Sequence, residues 1–206
     1  MTLPTASRHI ANPFASRHVR PGGLRPLTAE AELRDVPALV AKIRVAGGSA
    51  AIEGPHGTGK STLLVAVAAE LASAGRLAGT LQLRSVGDCL PALRLAWQAE
   101  PGSTICFDGW EQLGRVGSLA VRFLARLRGC DLVVTSHRSA GLPLSISMAG
   151  SFRLLRAIVA ALPDHGGLIQ DEDLTAAFAR HGGNLRESLS DLYDRFEERA
   201  RQPLRS

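Results

Sequence analysis

The stretch Gly54-Pro-His-Gly-Thr-Gly-Lys-Ser61 decides how the rest of the sequence is interpreted. It matches the pattern G-x-x-x-x-G-K-[ST] at every fixed position. A strand candidate over 49–53 precedes it, and a helix candidate over 60–74 with one apolar face follows it. Glycines adopt backbone angles that other residues avoid, so N–H groups can converge on a phosphate at the positive helix N-terminus. The stretch therefore predicts a phosphate-binding loop between a strand and a helix.

Within this stretch, each residue type has its own expected part. Lys60 is one of only two lysines, and we expect it to reach the β- and γ-phosphates, while the Ser61 hydroxyl ligates Mg²⁺. His56 occupies a variable position, so a histidine that faces solvent or a partner is the simpler interpretation. The predicted nucleotide-binding residues are Gly54, Pro55, His56, Gly57, Thr58, Gly59, Lys60, Ser61 and Thr62.

A second motif is the strand candidate over 104–108, four mostly apolar residues followed by Asp108. Phosphoryl chemistry needs a carboxylate for the metal and its water shell. Here the chain resembles the P-loop NTPases, with Asp108 in the Walker B position. One predicted strand, over 80–84, separates the two motifs, which resembles the division that includes AAA+, STAND-type, RecA-like and ABC ATPases. The resemblance implies ATP and Mg²⁺ as ligands, with Ser61 and Asp108 at the metal.

The residue after Asp108 departs from this resemblance. Those families usually have a catalytic Glu there, whereas this chain has Gly109, and the next acid is Glu111. The spacing is closer to the D-G-x-[DE] pattern of STAND-type ATPases, which makes Glu111 the candidate for polarising the attacking water. The alternative is that Glu111 only favours the N-terminus of the following helix.

Two further regions supply candidates for sensing the nucleotide. The predicted strand over 132–135 leads into Ser136 and His137, where the same families place a polar γ-phosphate sensor. Arg186 follows Gly183-Asn184-Leu185, which resembles the Gly-Asn-x-Arg signature of the AAA+ lid, where the arginine contacts the nucleotide. The structural alternatives are a histidine that caps a strand end and a solvated surface arginine.

Strands and helices alternate through the middle of the chain, which predicts a parallel sheet covered on both faces. Together with the motifs, this predicts an α/β fold, the P-loop NTPase three-layer sandwich with a mostly parallel five-stranded sheet. A small helical subdomain follows, because no strand pattern occurs after residue 151. The predicted units are an extended basic arm over 1–27, a nucleotide-binding core over 28–150 and a lid-like helical segment over 151–206.

Composition and charge narrow the function classes. Hydrophobic residues make up 45% and charged residues 21% of the 206, which excludes a mostly disordered or collagen-like chain. The apolar runs are too short for a membrane span, and three cysteines without a CxxC pair favour a reduced chain, so we expect a cytoplasmic protein. The net charge is +5, and the four arginines of residues 1–27 contribute most of it.

The basic arm, similar to that of a group of small bacterial P-loop proteins, therefore points to a partner more than to the nucleotide. We expect a protein partner at the arm or the lid, regard nucleic acid as possible but not favoured, and leave the oligomeric state open. On this interpretation, deletion of residues 1–27 leaves nucleotide binding largely intact. Three functions remain: an ATPase that moves the lid or arm, a nucleotide-binding switch with little hydrolysis, and a phosphotransferase for a small acceptor.

Overall fold

The computed structural model describes residues 11–201 and contains a sheet of five strands, all parallel. Residues 1–10 and 202–206, and with them the ends of the predicted arm and lid segment, lie outside the described part. The order of the strands across the sheet is β2-β3-β4-β1-β5. The strands are β1 Ala50–Glu53, β2 Leu77–Gln82, β3 Thr104–Asp108, β4 Asp131–Ser136 and β5 Leu144–Ser147.

The two motif strands, β1 and β3, are separated in the sheet by β4. This spacing confirms the arrangement that the sequence resembles, although the strand between the motifs in sequence, β2, lies at the sheet edge. β3 and β4 are buried over almost their whole length, as expected for central strands covered on both faces. β2 begins three residues earlier than the prediction over 80–84, because it pairs with β3 from Leu77.

Helices cover both faces of the sheet. The described helices are α1 Ser16–Val19, α2 Val36–Val45, α3 Lys60–Ser73, α4 Cys89–Gln98, α5 Gly114–Leu127, α6 Phe152–Ala161, α7 Asp171–Arg180 and α8 Leu185–Arg201. α2 and α3 pack on one face and α4 and α5 on the other, each pair with its own apolar core. The predicted three-layer α/β sandwich is confirmed. None of the described helices has both the length and the hydropathy needed to cross a membrane.

α2 begins later than its apolar pattern indicates. The apolar pattern predicts a helix from about Thr28, but the residues before Asp35 form a turn closed by an antiparallel bridge between Leu27 and Leu33. The Asp35 carboxylate accepts a hydrogen bond from the Ala38 N–H at 2.9 Å, and Pro37 lies in the first turn. Both features start a helix here, because the side-chain cap satisfies a free N–H and proline needs no N–H partner.

After the sheet, α6, α7 and α8 form the predicted helical subdomain around a third apolar core. That core includes Phe14, whose ring meets Phe196 edge to face at 6.5 Å. The Asn12 amide donates to the Tyr193 carbonyl at 3.1 Å and to the Glu197 carboxylate at 2.9 Å. The described part of the arm, which its turn signals predict to be extended, is therefore anchored to α8.

A buried carboxylate ties α7 to α8. Asp173 accepts hydrogen bonds from Arg199 at 2.5 and 2.8 Å and from Arg195 at 3.0 Å. Hydrogen bonds from Arg199, with those from the Gln170 N–H and Arg195, lower the pKa of Asp173 to about 2. The carboxylate therefore stays ionised in the folded protein far into the acid range.

We predict that Asp173→Asn lowers the free energy of unfolding at pH 7 by roughly 2 kcal/mol, because the folded pKa lies below the unfolded value. This contribution is complete above the unfolded pKa of about 4 and is lost as the pH falls towards 2. Urea unfolding at pH 7 and pH 3 measures it, with Asp171→Asn, which breaks an exposed ion pair to Arg156, as the control. Equal losses at both pH values would contradict the assignment.

Candidate functional site

The loop between β1 and α3 has the backbone conformation that its glycines predict. Gly54, Gly57 and Gly59 have φ values of 155°, 72° and 87°. Gly59 is the N-cap of α3, and its left-handed conformation turns the chain into the helix. The free N–H groups and the positive dipole of that helix end form a site for an anion.

Two of these glycines also allow close approach by other segments. A Cβ atom on Gly54 would lie 2.2 Å from the Met148 carbonyl oxygen, next to β5. A Cβ atom on Gly57 would lie 1.9 Å from Oδ1 of Asn184, which precedes α8. The phosphate loop is therefore in contact with the helical subdomain through Asn184, a contact that the sequence motif alone does not reveal.

We predict that Gly57→Ala displaces the start of α8 from the loop and weakens nucleotide binding at least about tenfold, since both the clash and the positive φ oppose alanine. Gly47→Ala is a matched control, because Gly47 has a φ of 99° but no atom within 4 Å of the added Cβ. Calorimetric titration measures the affinity, and amide exchange over 184–190 measures the displacement. Equal effects of both variants would assign the loss to backbone strain alone.

The Lys60 ammonium is held by the loop itself. It donates to the Gly54 and Pro55 carbonyls at 2.7 and 2.6 Å and lies 3.1 Å from His137 Nδ1. Burial lowers the pKa of Lys60, whereas the nearby Glu111 and Asp108 carboxylates raise it. A phosphate would replace these neutral acceptors with charged oxygens, which bind an ammonium more strongly.

Asp108, at the end of β3, meets the first turn of α3. Its Oδ1 accepts hydrogen bonds from the Ser61 hydroxyl at 3.0 Å and from the Thr135 hydroxyl at 2.5 Å. Thr135 also accepts from the Gly109 N–H at 2.9 Å. Hydroxyl and carboxylate oxygens suit Mg²⁺, which is usually held by one or two carboxylates together with phosphates. Ser61 and Asp108 therefore fit the ion.

Thr135 is a site residue that the sequence analysis missed. Side chains alternate along a strand, so Thr135 and His137 point to the cavity while Ser136 between them points to the other face. Ser136 is buried, and its hydroxyl accepts a hydrogen bond from the Arg138 N–H at 3.2 Å. Of the two predicted sensors at this strand end, the structure brings His137 and not Ser136 to the site.

Glu111 lies in a 3-10 turn over Trp110–Leu113 and reaches His137. Its Oε1 is 3.4 Å from His137 Nε2, while its Oε2 is buried and has no hydrogen-bond partner among the described residues. Burial and the Lys60 charge lower the pKa of His137, so the ring is neutral at pH 7. It can therefore accept a hydrogen bond from Lys60 on one nitrogen and donate to Glu111 with the other.

His56 is also part of this group. Its ring stacks on that of His137, with centroids 3.5 Å apart and planes 33° from parallel. His56 is exposed, in agreement with the expectation for its variable position, and it also contacts a second site residue. Lys60, His56 and Glu111 thus all contact the single His137 ring.

These side chains line a cavity of about 550 Å³, a volume within the range of small-molecule sites. The core contributes the phosphate loop, Asp108, Glu111, Thr135 and His137. The helical subdomain contributes Arg186 from the first turn of α8, whose side chain makes no hydrogen bond or ion pair with any residue of the range 11–201.

The arm forms another wall of the cavity. It contributes Leu24, Arg25, Pro26 and Leu27, and α6 and α8 contribute Leu154, Ile158, Leu185 and Leu189. One end of the cavity is therefore polar and the other apolar, as a nucleotide with its phosphates and base requires. The charge pattern predicts that deletion of residues 1–27 leaves nucleotide binding largely intact. Because arm residues line the cavity, we now expect that this deletion weakens nucleotide binding.

We predict that Phe14→Ala releases the arm from α8 and weakens nucleotide binding at least about tenfold, since loss of a buried phenylalanine costs about 3 kcal/mol or more. The exposed Phe123 provides a matched control for the same substitution. Trypsin cleavage after Arg17 reports release of the arm, and calorimetry reports the affinity. If the arm is released but the affinity for the nucleotide is unchanged, the arm is not part of the nucleotide site.

The comparisons with known proteins concern the fold. No protein-family model matches the sequence, and the curated proteins contain no match. Thermotoga maritima RuvB, named as a Holliday junction branch migration motor, has a similar structure with a TM-score of 0.53 at 19% identity. The match covers 84% of this chain and 65% of that chain, so the chain spans just under two thirds of the length of RuvB.

A mutant form of the same RuvB gives a TM-score of 0.54 at 18% identity, with the same coverage. Caenorhabditis elegans PCH-2 gives 0.42 at 13% identity over 81% of this chain and 68% of that chain. A likeness at these identities shows the fold alone. The chain therefore has the fold of a P-loop NTPase, as RuvB does.

Proposed function

We propose that the chain is a Mg²⁺-dependent ATPase whose nucleotide state moves α8 and the arm against a partner. The observation that carries the proposal is that the phosphate loop, Asp108 and Glu111 line one cavity with the arm and Arg186. Residues for phosphate binding, metal binding and water activation are thus joined to two segments outside the sheet.

Each group of this chain has a defined part in the proposed reaction. The loop N–H groups bind the phosphates, and Lys60 exchanges its carbonyl acceptors for phosphate oxygens. Ser61 and Asp108 hold Mg²⁺, which when bound neutralises charge on the β- and γ-phosphates. The free Oε2 of Glu111 accepts a hydrogen bond from the attacking water, and Arg186 contacts phosphate oxygens from the lid.

The proposed coupling begins at Lys60. When its ammonium turns to the phosphates, His137 Nδ1 loses a donor while its other nitrogen stays beside Glu111. The lid is linked to the same loop through Asn184 and Arg186, and the arm is linked to the lid through Asn12 and Phe14. A change in the phosphates therefore reaches α8 and the arm through direct contacts.

Steady-state phosphate release from the purified protein tests the hydrolysis. We expect turnover of ATP that depends on Mg²⁺ and stops when EDTA removes the ion, and parallel assays with GTP determine the preferred base. Turnover that persists in EDTA would contradict the assignment of Ser61 and Asp108 to the metal.

A nucleotide-binding switch with little hydrolysis is the second candidate. Gly109 stands directly after Asp108, where the resemblance implies a catalytic Glu, and Glu111 already has His137 as a neighbour. Nucleotide binding with no phosphate release above the Lys60→Ala background would favour the switch over the ATPase.

A further inference from the structure

Large exposed apolar side chains are concentrated on one surface of the described chain. Of eleven such residues, seven lie on α4, on α5 or in the 3-10 turn that leads into α4. They are Val86, Leu90, Trp97, Val116, Leu119, Phe123 and Leu127. Apolar residues that cluster on a surface, unlike single ones, mark a site of interaction.

α5 has two apolar stripes, and only one of them packs against the sheet. The buried stripe is Gly117, Val121 and Ala125. The other stripe consists of the apolar residues whose spacing predicts this helix, and its side chains are between 63% and 82% exposed. They are Val116, Leu119, Phe123 and Leu127. Their spacing of three or four residues places them on one side of the helix over about 16 Å. This stripe faces solvent.

α4 continues the same surface. Leu90 and Trp97 are seven residues apart, so they lie on one side of α4. α4 lies beside α5, since a Cβ on Gly117 would be 3.2 Å from the Cys89 sulfur. The Arg128 guanidinium, just after α5, lies 5.3 Å from the centre of the Trp97 ring. We call Leu90, Trp97, Val116, Leu119, Phe123 and Leu127 the α4–α5 apolar surface.

The charged side chains on the two helices have one sign. α4 carries Arg94, α5 carries Arg115, Arg122 and Arg126, and neither helix contains an Asp or Glu. A partner that covers the apolar residues therefore brings its own charged groups next to arginines. Carboxylates are favoured in that position, whereas a basic partner is excluded by repulsion.

We propose that the α4–α5 apolar surface binds an acidic amphipathic helix of another protein. The furrow between two neighbouring helices accepts the side-chain ridge of a third, and a helix of about three turns matches the exposed stripe.

The chain itself does not supply this helix. Its end segments 1–10 and 202–206 contain no acidic residue. α7 and α8 are acidic, but their apolar side chains, such as Leu174, Leu189 and Leu192, are buried within the helical subdomain. Neither the residues 1–10 and 202–206 nor the part of a second copy that the structure describes offers an acidic helix with a free apolar face.

Fluorescence anisotropy with a labelled synthetic helix of about 16 residues tests the proposal. The probe has leucines every three or four residues and glutamates beside them, and its controls are a scrambled peptide and one with Lys in place of Glu. We expect saturable binding of the acidic helix only, with a shift of the Trp97 emission to shorter wavelength. No binding at about 1 mM, or equal binding of the scrambled peptide, would overturn the proposal.

Two variants locate the binding. Phe123→Ser is expected to lower the affinity for the probe peptide at least about tenfold, since aromatic anchors dominate the binding energy of interfaces. The substitution leaves the fold intact because Phe123 is exposed. Val45→Ser, at the exposed end of α2, is expected to change the affinity less than about twofold. Equal affinities for wild type and Phe123→Ser would contradict the site.

Charge reversal and alternative occupants complete the test. The double variant Arg115→Glu and Arg126→Glu is expected to lose binding of the acidic peptide and to bind the control peptide that has Lys in place of Glu. Binding to phosphatidylglycerol vesicles that needs Phe123, without binding of the helix, would assign the surface to membranes and overturn the proposal. Self-association that needs Phe123, again without binding of the helix, would assign it to a second copy and overturn it too.

Discussion

Lys60→Ala is expected to abolish measurable phosphate release and to weaken nucleotide binding about 100-fold. Lys60 supplies a positive charge to the phosphate loop. A hydrogen bond to a charged group contributes about 1.5–3 kcal/mol, and a loss near the upper end of this range weakens nucleotide binding by about two orders of magnitude. Phosphate release gives the rate, and calorimetric titration with Mg²⁺ and a non-hydrolysable ATP analogue gives the affinity.

Lys42→Ala is the matched control, because Lys42 is the only other lysine and lies exposed on α2. We expect it to change neither the rate nor the affinity, since surface substitutions of this kind have small effects. Equal losses in the two variants would point to an effect on folding. Turnover that survives Lys60→Ala would remove the phosphate loop from the reaction.

Glu111→Gln is expected to lower phosphate release by about 10²–10⁴-fold and to leave nucleotide binding nearly unchanged, because that is the usual contribution of a general base. The amide keeps the shape of the side chain and still accepts a hydrogen bond from His137, but it has no charge with which to polarise a water molecule. Single-turnover assays with the protein in excess separate this chemical step from nucleotide binding.

Glu187→Gln is a suitable control, since Glu187 is an exposed acid in the first turn of α8. If Glu111→Gln does not change the rate of phosphate release, Glu111 has only the alternative role considered from the sequence, in which it favours the N-terminus of the following helix. In that case the water would have to be activated by another group of the cavity.

The sheet and the phosphate loop are predictable because their signals are local. The glycines, Lys60 and Ser61 stand in one continuous stretch, and the buried strands β3 and β4 appear as short apolar runs.

The walls of the cavity depend on long-range contacts and were harder to predict. Asn12 and Phe14 contact α8 across more than 180 residues, and nothing in the basic, proline-containing arm indicates which of its side chains become buried. Thr135 could have been recognised from strand alternation, because His137 was already a candidate two residues later.

α5 shows the limit of periodicity. Its apolar spacing predicts a helix correctly, but a helix with two apolar stripes does not reveal which of them faces the sheet. The stripe of smaller side chains, Gly117, Val121 and Ala125, is the buried one. The larger stripe is left free for the interaction that we propose.

Amide hydrogen exchange with and without Mg²⁺ and an ATP analogue tests the central claim most directly, because it reports on the core, the arm and the lid at once. We predict that the nucleotide protects residues 54–62, residues 24–27 and the first turn of α8 together in wild type, and none of them in Lys60→Ala. Nucleotide binding that leaves residues 54–62 unprotected would contradict the phosphate-loop site. Protection confined to residues 54–62 would contradict the closed cavity of core, arm and lid.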